Sequence, residues 1–227
     1  MTGQGGGSAP SSRLPVLTVF HRSPDRGRGL ARDMRVRWAL EELGLPYRTD
    51  VVPLSGLKDP AHVARHPFGQ IPVWRDGDLV LFESGAIVLH LARQAPGLFP
   101  EDPVARARAE AWVFAALSTV EPPMMDAESA RFFEGEEPWY AERKAHVDRR
   151  IAARLDQLAA WLGDRDWLEA DFTAGDLMMV AVLLRFGREA LEDHPTLQAY
   201  LDRGTARPAF TRAFAAQKAE YEASLSD

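Results

Sequence analysis

The hydrophobic rhythm of the chain changes once, near residue 95. Before that point, short apolar runs alternate with helical stripes. Val16 to Phe20 is almost wholly apolar and predicts a strand, closed by a polar, glycine-rich loop from His21 to Gly29. Val36, Ala39, Leu40 and Leu43 recur at helical spacing, and Gly44 follows as a stop signal. Tyr47 to Pro53 predicts a second strand and completes a strand–helix–strand unit. Ile71 to Trp74 and Leu79 to Phe82 flank Asp76-Gly77, a pair that tolerates the positive φ of a tight hairpin. Ser84 is placed to cap a helix over Gly85 to Gln94, in which Ile87 and Leu91 share a face.

After Pro103 the strand signals stop. Val104 to Val120 and Pro138 to Leu162 predict long helices, and Thr173 to Phe186 a strongly apolar, buried one. Pro195 to Asp202 and Pro208 to Tyr221 predict two shorter helices. The connector Ala95 to Pro103 holds three prolines and one glycine, so a domain boundary is expected there. The expected organisation is an α/β domain over residues 14–95 and an all-helical domain over residues 103–227, with no internal repeat. Residues 1–13 are Gly/Ser/Pro-rich, lack an apolar signal-peptide core and are expected to form a flexible tail.

Composition excludes more than it suggests. At 227 residues and 46% hydrophobic content the chain can bury a core without covalent staples. It has no cysteine, which excludes disulfides, Cys-ligated zinc, iron–sulfur clusters and any protein thiol nucleophile. A net charge of -6 argues against a general nucleic-acid binder. No run approaches the roughly 18 apolar residues of a membrane span, and a cytoplasmic location is expected.

Two short motifs carry candidate chemistry. The first is Phe68-Gly69-Gln70-Ile71-Pro72. A proline at a strand entrance either simply starts the strand or sits in a cis bond. A cis Ile71–Pro72 bond would leave the Ile71 N–H and C=O free to pair with an extended peptide. The second is Phe82-Glu83-Ser84-Gly85-Ala86-Ile87. A serine at a helix start offers its hydroxyl and the first backbone N–H groups to a carboxylate, and Glu83 offers a partner for an ammonium. Together they suit an amino-acid head group; the alternative is an ordinary cap beside a solvated glutamate.

Taken in order, the strand–helix–strand unit, the Ile71-Pro72 motif, Glu83-Ser84 about a dozen residues later and the helical second half resemble the glutathione S-transferase family. Phe172-Thr173-Ala174-Gly175-Asp176 reads as a capping box and is similar to a structural signature of that family's second domain. The resemblance implies a thioredoxin-like α/β domain followed by an all-α domain, and usually a homodimer. It implies that Ile71, before a cis Pro72, pairs with the cysteinyl backbone of glutathione, while Glu83 and Ser84 hold the γ-glutamyl end. Lys58 either reaches the glycyl carboxylate, as related lysines do, or is a solvated surface lysine, and Gln70 either bonds the ligand backbone or caps the turn. The implied activity is conjugation of the glutathione thiolate to small, mostly apolar electrophiles. Its rivals are a non-catalytic binding or interaction protein of the same fold and a glutathione-dependent isomerase or dehalogenase. No metal, nucleic-acid or membrane partner is implied.

In this family a Tyr or Ser hydroxyl just after the first strand stabilises the thiolate. Phe20 has no proton to donate, so Ser23 in His21-Arg22-Ser23-Pro24 is the expected donor, with a loop arginine or backbone N–H as its competitor. Arg22 to Arg37 holds six arginines against Asp25 and Asp33. This is either an electropositive mouth for an anion or a solvated loop and helix face, with Arg35 and Arg37 pairing to Glu41 or other acids. Arg28 and Arg32 are the expected ligand contacts, since flanking glycines would let the loop fold over a site. Trp112, Phe114, Met124 and Met125 are either part of a second-substrate wall or plain core, and Glu121-Pro122-Pro123 is expected to kink or end the first long helix near them. His62 and His66 are four apart, but Pro67 ends any helix there and no metal site is expected.

Overall fold

A computed structural model describes residues 14–226, and the tail expected over residues 1–13 lies outside them. The chain begins with β1 (Val16–Phe20), α1 (Asp33–Leu43) and β2 (Arg48–Val52), where β1 and β2 pair in parallel. A short α2 (Pro60–Val63) leads to the hairpin β3 (Val73–Asp76) and β4 (Leu79–Phe82), and then to α3 (Ser84–Ala92). β3 pairs antiparallel with both β1 and β4, giving the mixed order β2-β1-β3-β4 of a thioredoxin-like sheet. Leu17, Trp74 and Leu81 stand opposite one another in this register and so share a face. Leu17 and Trp74 are 0% and 1% exposed, and they join Met34, Leu40 and Ile87 of the helices in one core.

Most local signals were sufficient. Gly44 caps α1 at φ 63, a left-handed conformation that a residue without Cβ adopts freely. The hairpin is displaced relative to expectation: β3 begins at Val73 rather than Ile71, and the positive φ of the turn falls on Gly77. Pro72 has no N–H for a ladder bond, so pairing starts only after it. The Ile71–Pro72 bond is cis.

The helical region comprises α4 (Pro103–Ala115), a π-helical segment Ala116–Val120, α5 (Glu121–Phe133), α6 (Tyr140–Leu162), α7 (Ala174–Phe186), α8 (Pro195–Thr205) and α9 (Pro208–Ser224). Glu121-Pro122-Pro123, expected from sequence to kink or end the first long helix, does not interrupt the helical path; α5 follows directly. Two prolines remove two N–H donors that a regular α-helix would send to the turn before, and the wider π-type turn lies immediately ahead of them. Thr173 caps α7: its hydroxyl accepts from the Gly175 N–H at 3.2 Å, while the Asp176 carboxylate accepts from the Thr173 N–H at 2.9 Å. Asp176 also accepts from the Leu168 N–H and the Tyr200 hydroxyl, each at 2.9 Å, which ties α7 to α8 and to the preceding loop. Burial nevertheless pushes the Asp176 carboxyl above its ordinary range, against these hydrogen bonds. The role is structural.

α1 is covered on all sides. Asp33 to Leu40 are all buried, because the sheet lies on one side and α3, α7 and α9 pack around the rest. The interior is therefore continuous from the sheet into the helical region. Arg35 and Arg37 are buried with it, at 3% and 1% exposure, which corrects any reading of them as a solvated face or a ligand mouth. Arg37 donates to Asp33 at 2.8 Å and to Glu220 of α9, while Glu41, its sequence-expected partner, pairs with Arg212 at 2.7 Å.

Candidate active site

The arginine-rich loop after β1 is organised by one carboxylate. Asp25 accepts from the backbone N–H groups of Gly27, Leu30 and Ala31 at 3.2, 2.5 and 3.0 Å, and from the Ser23 hydroxyl. Ser23 is buried, gives its only proton to Asp25 and does not line the cleft described below. This corrects its expected placement at a sulfur. The loop's glycines also serve another end than expected. Gly29 has φ 77, and a Cβ there would lie 2.9 Å from the Phe214 ring of α9. The loop thus folds down onto α9 instead of over a ligand, and Arg22 donates to the Ser224 carbonyl at 2.9 and 3.1 Å.

What remains above the loop is a cleft of about 530 Å³ between the two halves of the molecule. The first half contributes Phe20, Arg28, Arg32, Leu57, Gln70 and Ile71. The facing helices contribute Met125, Glu128, Arg131 and Phe132 from α5 and Arg185 from α7. Ile71 stands before the β3 ladder, and among the described residues no backbone hydrogen bond uses its N–H or C=O. The cleft carries four arginines against Asp25 and Glu128, within an acidic chain. Among the described residues no hydroxyl-bearing side chain lines it.

A second hollow of about 410 Å³ adjoins the first, and Arg32 lines both. Its floor is the start of α3. Glu83 has φ 69 and ψ 117, rare for a side-chain-bearing residue and typical of a functional turn. Glu83 therefore occupies the cap position, and the helix begins at Ser84, one residue earlier than expected from sequence. Ser84 is buried but lines the hollow, while the exposed Glu83 carboxylate has no cation within 4 Å among the described residues. α3 sits close to the helical region at this point, since a Cβ on Gly85 would lie 2.5 Å from Leu117.

Behind Ser84 lies a buried ion pair between the halves. Arg35 donates to Glu121 at 2.7 and 3.3 Å and to the Ser84 hydroxyl oxygen at 3.4 Å. Both charged groups are 3% exposed. Burial opposes ionisation of Glu121, but Arg35, with help from Arg32 and Arg185, overcomes it and holds the carboxyl below its ordinary range.

Other sequence-expected residues fall elsewhere. Lys58 is exposed in a separate groove with Leu54 and Phe68, outside the cleft. His62 bonds the Gln70 carbonyl at 2.8 Å, and its ring stacks with His66, so both are part of the packing under the Gln70 turn. Among the described residues no group of three metal-capable side chains occurs. Of the four expected second-substrate residues, Met125 lines the cleft and Phe114 the smaller hollow. Met124 is buried on the other side of α5, and Trp112 packs on Trp161 and donates to Glu169.

The comparisons with known proteins agree with this architecture. Residues 34–94 match the family model described as glutathione S-transferase, N-terminal domain. The glutathione S-transferase-like protein tpcF of Aspergillus fumigatus is 31% identical over 222 residues, covering 89% of this chain and 96% of its own. The chain belongs to the glutathione S-transferase family. Among solved structures, a glutathione transferase of Burkholderia graminis with two glutathione molecules bound per subunit has a TM-score of 0.77 at 25% identity, covering 91% of this chain and 90% of its own. A glutathione transferase family member from Pseudomonas fluorescens, with two glutathione bound, has a TM-score of 0.77 at 23% identity over 91% and 95% of the two chains. The second likeness speaks for the fold alone.

Proposed function

We propose that this glutathione S-transferase family protein binds glutathione across the two hollows and conjugates its thiolate to a small, mostly apolar electrophile. The observation that carries this reading is the pairing of an unpartnered Ile71 backbone edge with the Ser84 helix start, joined through Arg32. The γ-glutamyl carboxylate would accept from the Ser84 hydroxyl and the first N–H groups of α3, and its ammonium would face Glu83. The cysteinyl N–H and C=O would pair with Ile71, and the glycyl end would extend along Gln70 toward the arginines. The solved Burkholderia graminis relative, which holds glutathione, supports the ligand. In this reading residues 14–95 form the glutathione-binding domain and residues 103–227 the helical one, and the protein works as a cytoplasmic homodimer.

A free thiol with a pKa near about 8.5 is only a few per cent ionised at neutral pH. Lowering that pKa by two units takes about 2.7 kcal/mol of preference for the anion. With no hydroxyl on the cleft wall among the described residues, we assign that preference to Arg28 and Arg32, and Ser23 acts through Asp25 by holding their loop. The thiol proton leaves to solvent, the thiolate attacks the electrophilic carbon, a carbon–sulfur bond forms, and the leaving group departs with its electron pair. The test is a titration of bound glutathione by ultraviolet thiolate absorbance. Arg28→Gln and Arg32→Gln should each raise the bound thiol's pKa, whereas Ser23→Ala should raise it less than either. If Ser23→Ala gave the largest rise, the assignment would be wrong. The hydroxyl-free wall also favours a second reading, binding without turnover; saturable glutathione binding with no conjugation across aryl halides, epoxides and hydroperoxides would establish it.

A further inference from the structure

His62 and His66 have no part in the glutathione reading, yet both rings are buried, at 4% and 1% exposure. The His66 N–H donates to the His62 carbonyl at 2.9 Å, so the helical turn begun by α2 continues to His66 and puts both rings on one face. The ring centroids lie 6.4 Å apart, and His66 packs in turn on Phe82 at 5.0 Å. The His66 carbonyl accepts from the Gly69 N–H at 2.8 Å, which closes the turn that leads to Gln70. The His62 ring is thus fixed by its own helical turn and by the ring it stacks on.

From this frame its Nε2 reaches the Gln70 carbonyl at 2.8 Å. A carbonyl oxygen can only accept, so the ring carries a proton on Nε2 and donates it. Nδ1 is buried and has no partner among the described residues, so this bond is the ring's one polar contact. The carbonyl that accepts it shares a peptide unit with the Ile71 N–H. That unit is planar and trans, so its C=O and N–H point in opposite directions. Holding the oxygen on His62 sends the Ile71 N–H the other way, toward the cleft that Gln70 and Ile71 line. Among the described residues neither end of this peptide makes another hydrogen bond. Donation to the carbonyl also polarises the peptide, which makes its N–H a stronger donor.

We propose that His62 is a positioning residue for the glutathione site: by holding the Gln70 carbonyl it aims the Ile71 N–H at the ligand's cysteinyl carbonyl. It touches no ligand atom itself. The inference rests on the reading that the Ile71 edge holds glutathione, and it names the side chain that fixes the plane of that edge. A residue without a donor at the place of Nε2 leaves the peptide free to turn, and the ligand must then supply the cost of orienting it.

The test is calorimetric titration of the full chain with S-methylglutathione, which has no thiol to ionise and so separates binding from thiolate formation. His62→Leu is close to the ring in size but has no donor, and should weaken binding about tenfold. His62→Gln carries an amide N–H at the reach of Nε2, and should stay within about threefold of wild type. His62→Asn has the same amide one methylene short of the carbonyl, and should be as weak as His62→Leu; it replaces that variant if melting curves show His62→Leu unfolded. Nitrogen–proton correlation spectra add a readout that packing alone does not move. The Ile71 amide should shift on ligand addition in the wild type and in His62→Gln, and shift less in His62→Leu. A wild type that does not bind S-methylglutathione overturns the glutathione reading and this inference with it. A wild type that binds, with His62→Leu equally tight or a folded His62→Gln as weak as His62→Leu, overturns the inference alone.

Discussion

Replacing Glu121 with alanine removes one half of the ion pair that joins the two halves of the molecule behind Ser84. Arg35 would then keep its charge at 3% exposure with only the Ser84 oxygen, 3.4 Å away, as partner. Removing one member of a buried pair costs about 3–5 kcal/mol, because the other charge is left uncompensated. For a protein of this size a destabilisation of 1 kcal/mol lowers the melting temperature by roughly 2–4 °C, so Glu121→Ala should lower it by about 6–20 °C. The assay is urea and thermal unfolding followed by circular dichroism. A double variant separates charge from packing. Arg35→Met with Glu121→Leu replaces the pair by apolar groups, and such exchanges are often neutral, so stability should return toward wild type. Glutathione affinity should stay reduced, since Ser84 has lost the guanidinium that contacts it. A loss below about 1 kcal/mol in Glu121→Ala, or a double variant as unstable as the single one, would refute the reasoning.

Further outcomes are expected from the same structure. The Glu121 carboxyl is held below its ordinary range, so its contribution is whole above about pH 4.3 and is lost as pH falls through the lower folded value; acid unfolding of Glu121→Gln should lack this component. Burial holds the His66 imidazole below its usual range, so the unfolded chain takes up a proton first, and stability should fall as pH drops below about 6.5. His66→Gln should flatten that limb. Asp25→Ala frees three backbone N–H groups and the Ser23 hydroxyl at once, and should cost about 1–3 kcal/mol with faster amide exchange confined to the loop after β1. Asp176→Ala removes the acceptor shared by Leu168, Thr173 and Tyr200, and should destabilise without changing ligand affinity in the protein that remains folded.

Features set by neighbouring residues were legible in the sequence. β1 and β4 have the expected bounds, Gly44 stops α1, and Thr173 with Asp176 caps α7, because each depends on residues within one turn or one strand. Helix α5 was not legible, since Pro122-Pro123 reads locally as a break and the π-type turn that accommodates it belongs to α4's packing. The Arg35–Glu121 pair spans 86 positions and the Arg185–Glu128 pair 57, distances at which no periodicity links residues. For the same reason Arg131 and Arg185 were missed as cleft residues: only the fold brings α5 and α7 opposite Ile71. Ser23 shows the complementary limit. Sequence places a hydroxyl after β1 but not its direction, and Asp25 two positions later takes its proton. The absence of cysteine keeps its meaning throughout: any thiol chemistry in this cleft must use a thiol that the ligand brings.

The central claim is that the Ser84 helix start and the Ile71 edge together hold glutathione. Calorimetric titration of the wild-type chain and of Ser84→Ala tests it directly. The account predicts saturable binding of one glutathione at this site per chain, weakened about tenfold or more in Ser84→Ala, as expected for loss of a hydrogen bond to a charged group. No saturable heat from the wild type, or equal affinity in the two proteins, would contradict it.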